Sequence, residues 1–366
     1  MLNIFNTHIN KNAFDNVKSV LDSTFLSEGK LVAEFEEKLA SEMGLLNPVA
    51  LNSGTSALHL ALICAGIKPG DEVITTPQTF VATGLAILYM GAVPVFSDIQ
   101  YETGNICPKS MEEKITEKTK AVLAVHWGGY PCDMDEIRII AKKYNLIVIE
   151  DAAHAPGAEY KNKFIGSVSD FTCFSFQAIK HITTGDGGAL CCKSYEKAIE
   201  AKAKRWFGIN RAESKPSILG ERAYDIPEIG YKYHLNDYSA ALGIANLSDF
   251  KERLGKRRKY AEMYRKNLNN ISGLKLFGET NDRKSAYWLF GLHVEKREDF
   301  IRALKGREVT ASVIHQRIDR NSVFGGITQG LVNQERFDET QIHIPVHDGL
   351  DEQDVEYIIE SIKKGW

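Results

Sequence analysis

From about residue 50 to residue 192 the chain alternates short apolar runs with amphipathic segments, and this alternation constrains the fold more than any other feature. The runs are Glu72 to Thr75, Val93 to Phe96, Ala121 to Val125, Leu146 to Ile149, Phe171 to Phe176 and Ala189 to Cys191. Helical periodicity fills several of the gaps, as in Asp133 to Tyr144. Strands separated by helices predict an α/β fold with a mostly parallel central sheet and helices on both faces. Ligands of such sheets bind beyond the carboxyl ends of the strands.

Three segments put chemistry at those ends. Phe174-Ser175-Phe176-Gln177-Ala178-Ile179-Lys180 stops an apolar strand and presents a lysine just before the turn Gly185-Asp186-Gly187-Gly188. Leu146 to Ile149 runs into Glu150-Asp151-Ala152-Ala153-His154, a buried strand ending in a carboxylate. Asn52-Ser53-Gly54-Thr55-Ser56 opens an apolar helix, and a helix start of this kind binds phosphate. Taken singly, Lys180 reads as a surface lysine and Asp151 as a helix cap. Together, an amine for an imine, an acid for a pyridinium and a phosphate cradle point to pyridoxal phosphate.

These residues resemble the DegT/DnrJ/StrS family of sugar aminotransferases, within the aspartate aminotransferase superfamily of fold type I. The resemblance covers nearly the whole chain. It starts at Phe25-Leu26-Ser27-Glu28-Gly29 and Phe35-Glu36, and runs through the three segments above and Thr79-Phe80-Val81-Ala82-Thr83. It continues in Gly230-Tyr231-Lys232-Tyr233, Asn236-Asp237 and Ile344-Pro345-Val346-His347. Gln177 and Ala178 depart from a usual His-Pro, and Asp186 replaces a usual Glu. One branch of the family carries histidine in place of the lysine and deoxygenates sugars. Here His181 is adjacent, but the register of Lys180 is that of the transaminating branch.

The resemblance implies a role for each residue. Lys180 is the covalent anchor and acid/base group, and Asp151 accepts the proton of the pyridine nitrogen. Gly54, Thr55, Ser56 and Ser175 cradle the phosphate, Phe80 lies over the ring, and His154 sits near the phenolic oxygen. Lys232 is the position that reaches the phosphate from a neighbouring subunit, which implies a homodimer with shared sites. Trp206, Arg211, His315, Arg317 and Arg320 lie in loops that resemble those bordering the substrate cleft, where surface ion pairs are the competing reading of the arginines.

The expected reaction moves an amino group from L-glutamate, through the pyridoxamine phosphate form, to a keto sugar. A nucleotide-linked keto-deoxysugar destined for surface polysaccharide is the leading acceptor. A free or phosphorylated keto sugar or small keto phosphate is the alternative. Sugar dehydration, a lyase or desulfurase activity and a regulatory role are the rivals. A desulfurase needs a reactive cysteine on a mobile loop, whereas Cys173, Cys191 and Cys192 fall in predicted strands.

Composition sets the outer bounds. The 366 residues, 43% hydrophobic and 25% charged, suffice for two subdomains, read as 1–245 (N-terminal segment and large domain) and 246–366 (small domain). A helix over 235 to about 270 joins them, with Arg253-Leu254-Gly255-Lys256 as its softest point. Beyond it the pattern predicts strands over Trp288 to Val294 and Thr310 to Ile314, and helices over Asp299 to Lys305 and Asp351 to Lys364. A net charge of -3 with interspersed signs gives no field for nucleic acid or a membrane, and Lys256-Arg257-Arg258-Lys259 reads as a solvated helix face. Six cysteines without a Cys-x-x-Cys pair read as buried free thiols, Cys191 and Cys192 pointing to opposite sides of a strand. No metal site is called for. With no apolar run near the ~20 residues a bilayer requires and no leader pattern, a cytoplasmic location is expected.

Overall fold

A computed structural model describes residues 1–210 and 215–366. Seven strands form the central sheet, in the spatial order Pro48–Leu51, Gly188–Cys192, Phe171–Ser175, Ile147–Asp151, Thr119–Val125, Glu72–Thr75, Val93–Phe96. Only Gly188–Cys192 runs antiparallel to its neighbours. The expected mostly parallel sheet is therefore present.

Side chains alternate between two apolar layers as strand geometry requires. Ala50, Ile74, Val122, Val148, Phe174 and Cys191 enter one layer, while Leu51, Val73, Leu123, Ile149, Cys173 and Cys192 enter the other. Helices cover both: Lys30–Met43 and Met134–Lys143 supply Phe35, Leu39 and Ile137 to the first, and Gly54–Cys64 supplies Leu58 and Leu60 to the second. Cys191 and Cys192 thus do point to opposite faces. Among the six cysteines, all free, Cys107 alone is half-buried and the other five are buried.

A separate apolar cluster forms around the antiparallel strands Leu274–Leu276, Phe290–Val294 and Gln341–Ile344. The helix Glu352–Lys363 and the end of Phe250–Leu268 pack on it through Val355, Ile358, Tyr260 and Tyr264. A smaller cluster of Ile4, Ile99, Trp127, Trp288 and Leu289, with Phe5 and Ile179 against it, joins this part to the lysine segment.

Five expectations need correction. The helix read over 235–270 is two, Asp237–Leu247 and Phe250–Leu268, broken where Ser248 turns its hydroxyl onto the Ala245 carbonyl. The segment around Gly255 is not soft, because Arg253 and Leu254 are buried and the Arg253 guanidinium donates to the carbonyls of His181 and Asn246. The basic cluster is only half a solvated face: Lys256 and Lys259 are outside, but Arg257 is buried against Asp348 at 2.6 Å, and Arg258 reaches the carbonyls of Ser285 and Gly157. Thr310 to Ile314 forms one bridge, Ser312 to His343, and no strand. The strand read from Trp288 begins at Phe290, since Leu289 donates its N–H to Gly128 and Trp288 turns toward the sheet's carboxyl edge.

Candidate active site

The carboxyl ends of Phe171–Ser175 and Ile147–Asp151 meet the start of the helix Gly54–Cys64 at a cavity of about 380 Å³. Gly54, Thr55, Phe80, Asp151, His154, Ser175, Lys180 and His315 all line it. Eight residues singled out from separate stretches of sequence are therefore brought together.

The helix start is shaped by its cap. Ser53 Oγ accepts the N–H of Ser56 at 3.0 Å, and Ser56 Oγ donates to Asn52 Oδ1 at 2.7 Å. Ser56 is consequently committed to the cap and does not line the cavity, whereas Ser53, Gly54 and Thr55 do. Glycine is required twice here by close approach. A Cβ on Gly54 would lie 2.9 Å from Ser175 Cβ, and one on Gly188 would lie 2.5 Å from the Ser53 carbonyl oxygen.

Asp151 is buried and held on both oxygens: Thr83 Oγ1 donates to Oδ2 at 2.8 Å and the Ala153 N–H to Oδ1 at 3.1 Å. Burial raises its carboxyl above the usual carboxylate value, while those two donors and the Lys180 charge pull the other way. Lys180 is half-buried as a residue, with its amine at the enclosed end. Burial brings that amine down to about 7, against the opposing pull of Asp151. His154 is buried and stacks on Trp288 at 3.8 Å between ring centroids. Burial and then Lys180 hold His154 well below the ordinary histidine value and bring His315 to about 4, so both rings are neutral near pH 7.

Phe80, 53% exposed, caps the helix Val81–Tyr89 and faces His315 at 5.2 Å. The other sequence candidates lie elsewhere. Lys232 is exposed, its backbone bridging Trp206, and Trp206 packs edge-on against His234 at 4.2 Å. Arg317 is buried in a two-pronged pair with Asp319, both contacts at 2.7 Å, and Arg320 bonds Gln316. Arg211 lies outside the described residues. His181 turns from the cavity and hydrogen-bonds the Ala286 carbonyl at 2.8 Å. Cys173 borders the cavity, but it is fixed in a strand and burial pushes its thiol well up.

Sequence reading missed Thr83, Gln177, Asp186 and Trp288 as parts of this site. Thr83 was findable: it stands three residues after Phe80 on the first turn of a helix, on the same face. Trp288 carried no local signal, because an aromatic beside Leu289 and Phe290 reads as strand.

The donor set fits pyridoxal phosphate. An enclosed amine, a buried acid able to meet a ring nitrogen and a helix start without room for a Cβ surround one cavity. A mostly parallel sheet with this constellation at its carboxyl edge defines a fold type I aminotransferase. Residues 7–363 match the DegT/DnrJ/EryC1/StrS aminotransferase family, and the chain belongs to it. It is 36% identical to the spore coat polysaccharide biosynthesis protein SpsC of Bacillus subtilis (97% of this chain, 94% of the relative). It is 33% identical to GDP-perosamine synthase of Escherichia coli O157:H7 (95% and 94%). Among solved structures, the sugar aminotransferase CalS13 of Micromonospora echinospora superposes with a TM-score of 0.95 at 34% identity, over 100% of both chains. Spr1654 of Streptococcus pneumoniae, described as a sugar aminotransferase, is solved in apo, PLP and PMP forms. Its PLP form gives a TM-score of 0.90 at 28% identity, over 99% of this chain and 98% of that one.

Proposed function

We propose that this protein transfers an amino group from L-glutamate to a nucleotide-linked keto-deoxysugar, with pyridoxal phosphate as cofactor. The observation that carries the reading is the convergence of Lys180 and Asp151 on one enclosed cavity with the Ser53-Gly54-Thr55 helix start. The names of the relatives, a polysaccharide biosynthesis protein and a GDP-sugar synthase, support the acceptor class. When bound, the cofactor supplies an electron sink for the carbon whose proton is removed.

The chain's residues do the rest. Lys180 would hold the cofactor through Nζ, and its amine is placed to take a proton from the donor α-carbon. An amine brought to about 7 is divided between its charged and neutral forms near neutral pH, which suits both halves of that task. Asp151 would hold the proton on the ring nitrogen, and Thr83 keeps the carboxylate oriented. Gly54, Thr55 and Ser175 would hold the phosphate, Phe80 would cover the ring, and His154, neutral, would face the phenolic oxygen. Ser56 serves by shaping the turn. Lys232, exposed on its own chain, would reach the phosphate in a second copy, which makes a homodimer the working unit of this reading. His315 borders the acceptor. The large and small domains, 1–245 and 246–366, meet at this site, and the protein works in the cytoplasm.

The purified protein should show a visible absorption band that L-glutamate bleaches and a keto sugar of the right class restores. Lys180→Ala should lack both the band and the response. A Lys180→Ala protein that still responded would overturn the assignment.

A further inference from the structure

Trp288 is 1% exposed and stands where three parts of the chain meet. Its indole Nε1–H donates to the Ile179 carbonyl at 3.0 Å, pinning the backbone next to the lysine. Lys180 Nζ lies 3.6 Å from the ring centroid. The His154 ring stacks on the indole at 3.8 Å and 13°, and Phe5 of the amino-terminal segment stacks at 5.0 Å and 27°. One side chain thus touches the reactive amine, the peptide beside it and a second wall of the cavity.

We infer that Trp288 is the positioning residue for the Lys180 amine, its ring carrying the ammonium and its N–H fixing the lysine segment. This rests on the reading of Lys180 as the reactive amine. A desolvated cation over an indole face is attracted by the ring quadrupole, an effect of Trp greater than of Phe and absent from an aliphatic side chain. The enclosure that lowers the amine therefore acts against a local stabilisation of its charged form. Removing the ring leaves enclosure unopposed on that side. The amine becomes neutral, and hence reactive, at lower pH. The hydrogen bond to Ile179 does separate work: it stops the segment from carrying the amine away from the ring.

The two contacts separate experimentally. Trp288→Phe keeps a ring and loses the N–H, while Trp288→Leu loses both. Full-length protein stripped of cofactor is treated with formaldehyde and cyanoborohydride across a pH series, and methylation of the Lys180 peptide is followed by mass spectrometry. Circular dichroism checks that each variant is folded. The labelling midpoint should fall by roughly one pH unit in Trp288→Leu and by less in Trp288→Phe. Unchanged midpoints in both folded variants would overturn the inference. If Trp288→Leu fails to fold, the Phe variant decides alone: a lowered midpoint supports the inference, an unchanged one refutes it. Adding pyridoxal phosphate to the wild type then tests the underlying reading separately. A shifted midpoint without a visible band upholds the tryptophan's role and sinks the cofactor assignment, while a band with unshifted midpoints does the reverse.

Discussion

In the proposed reaction Asp151 supplies the charge that faces the ring nitrogen. Asparagine has nearly its shape and keeps an oxygen for Thr83, but it cannot stabilise a positive ring. Asp151→Asn is expected to leave the fold intact and slow the half-reaction with L-glutamate by roughly 10²–10³-fold, the scale of losing one preorganised electrostatic partner. Rapid-mixing absorbance reads that rate, and a loss of only a few-fold would remove Asp151 from the role. Asp151 was visible in sequence because it ends the strand Ile147–Asp151, and Lys180 because it follows the strand Phe171–Ser175 by five residues, ahead of a glycine-rich turn; only together with the helix start at Gly54 did they point to one site. Trp288 was not visible, since its importance comes from contacts with Ile179, Lys180 and Phe5, remote in sequence or lacking any local period. Arg317 shows the opposite limit: the resemblance of its loop to those bordering the substrate cleft suggested a substrate contact, and Asp319 two residues on holds it in an ion pair.

The helix Phe250–Leu268 shows why a charged pattern misleads about an element. Arg253 and Arg257 sit one turn apart on its inner face, and Asp348 takes contacts from both, at 3.2 and 2.6 Å. Periodicity places the two arginines together, but no local rule supplies an acid some ninety residues downstream. Burial would raise the Asp348 carboxyl, yet the two guanidinium groups outweigh it and hold it at about 2, below its ordinary 3.8. A depressed acid stabilises the fold above its unfolded value and loses that contribution as pH falls through the folded one. The pair should therefore contribute about 2 kcal/mol that is complete above pH ~4 and fades toward pH ~2. Asp348→Asn should cost roughly 3–5 kcal/mol in urea unfolding at neutral pH, because Arg257 is left buried without a counter-charge. It should also flatten the acid limb between those two values. An acid limb identical to wild type would show that the pair is not what titrates.

For the molecule as a whole, the sheet was the most legible feature, since its strands are short apolar runs set between amphipathic segments and alternate sides fill two separate layers. Less legible was the carboxyl-terminal part, where a strand expected over Thr310 to Ile314 is a single bridge and the pairing of Phe290–Val294 with Gln341–Ile344 spans distant sequence. The proposed dimer is testable at this scale. Lys180→Ala and Lys232→Ala should each be inactive alone. Mixed by unfolding and refolding, they should recover about a quarter of wild-type activity, because each mixed pair contains one site with both lysines intact. No recovery despite verified mixed pairs would place Lys232 in its own chain's chemistry or none.

The packing of Phe5 on Trp288 ties the opening residues to this picture, as does Leu2 donating its N–H to Glu308 and accepting from Thr310. The first turn of chain is thus a wedge driven behind the lysine. A deletion or bulky insertion at Phe5 would disturb the wall behind the proposed reactive amine.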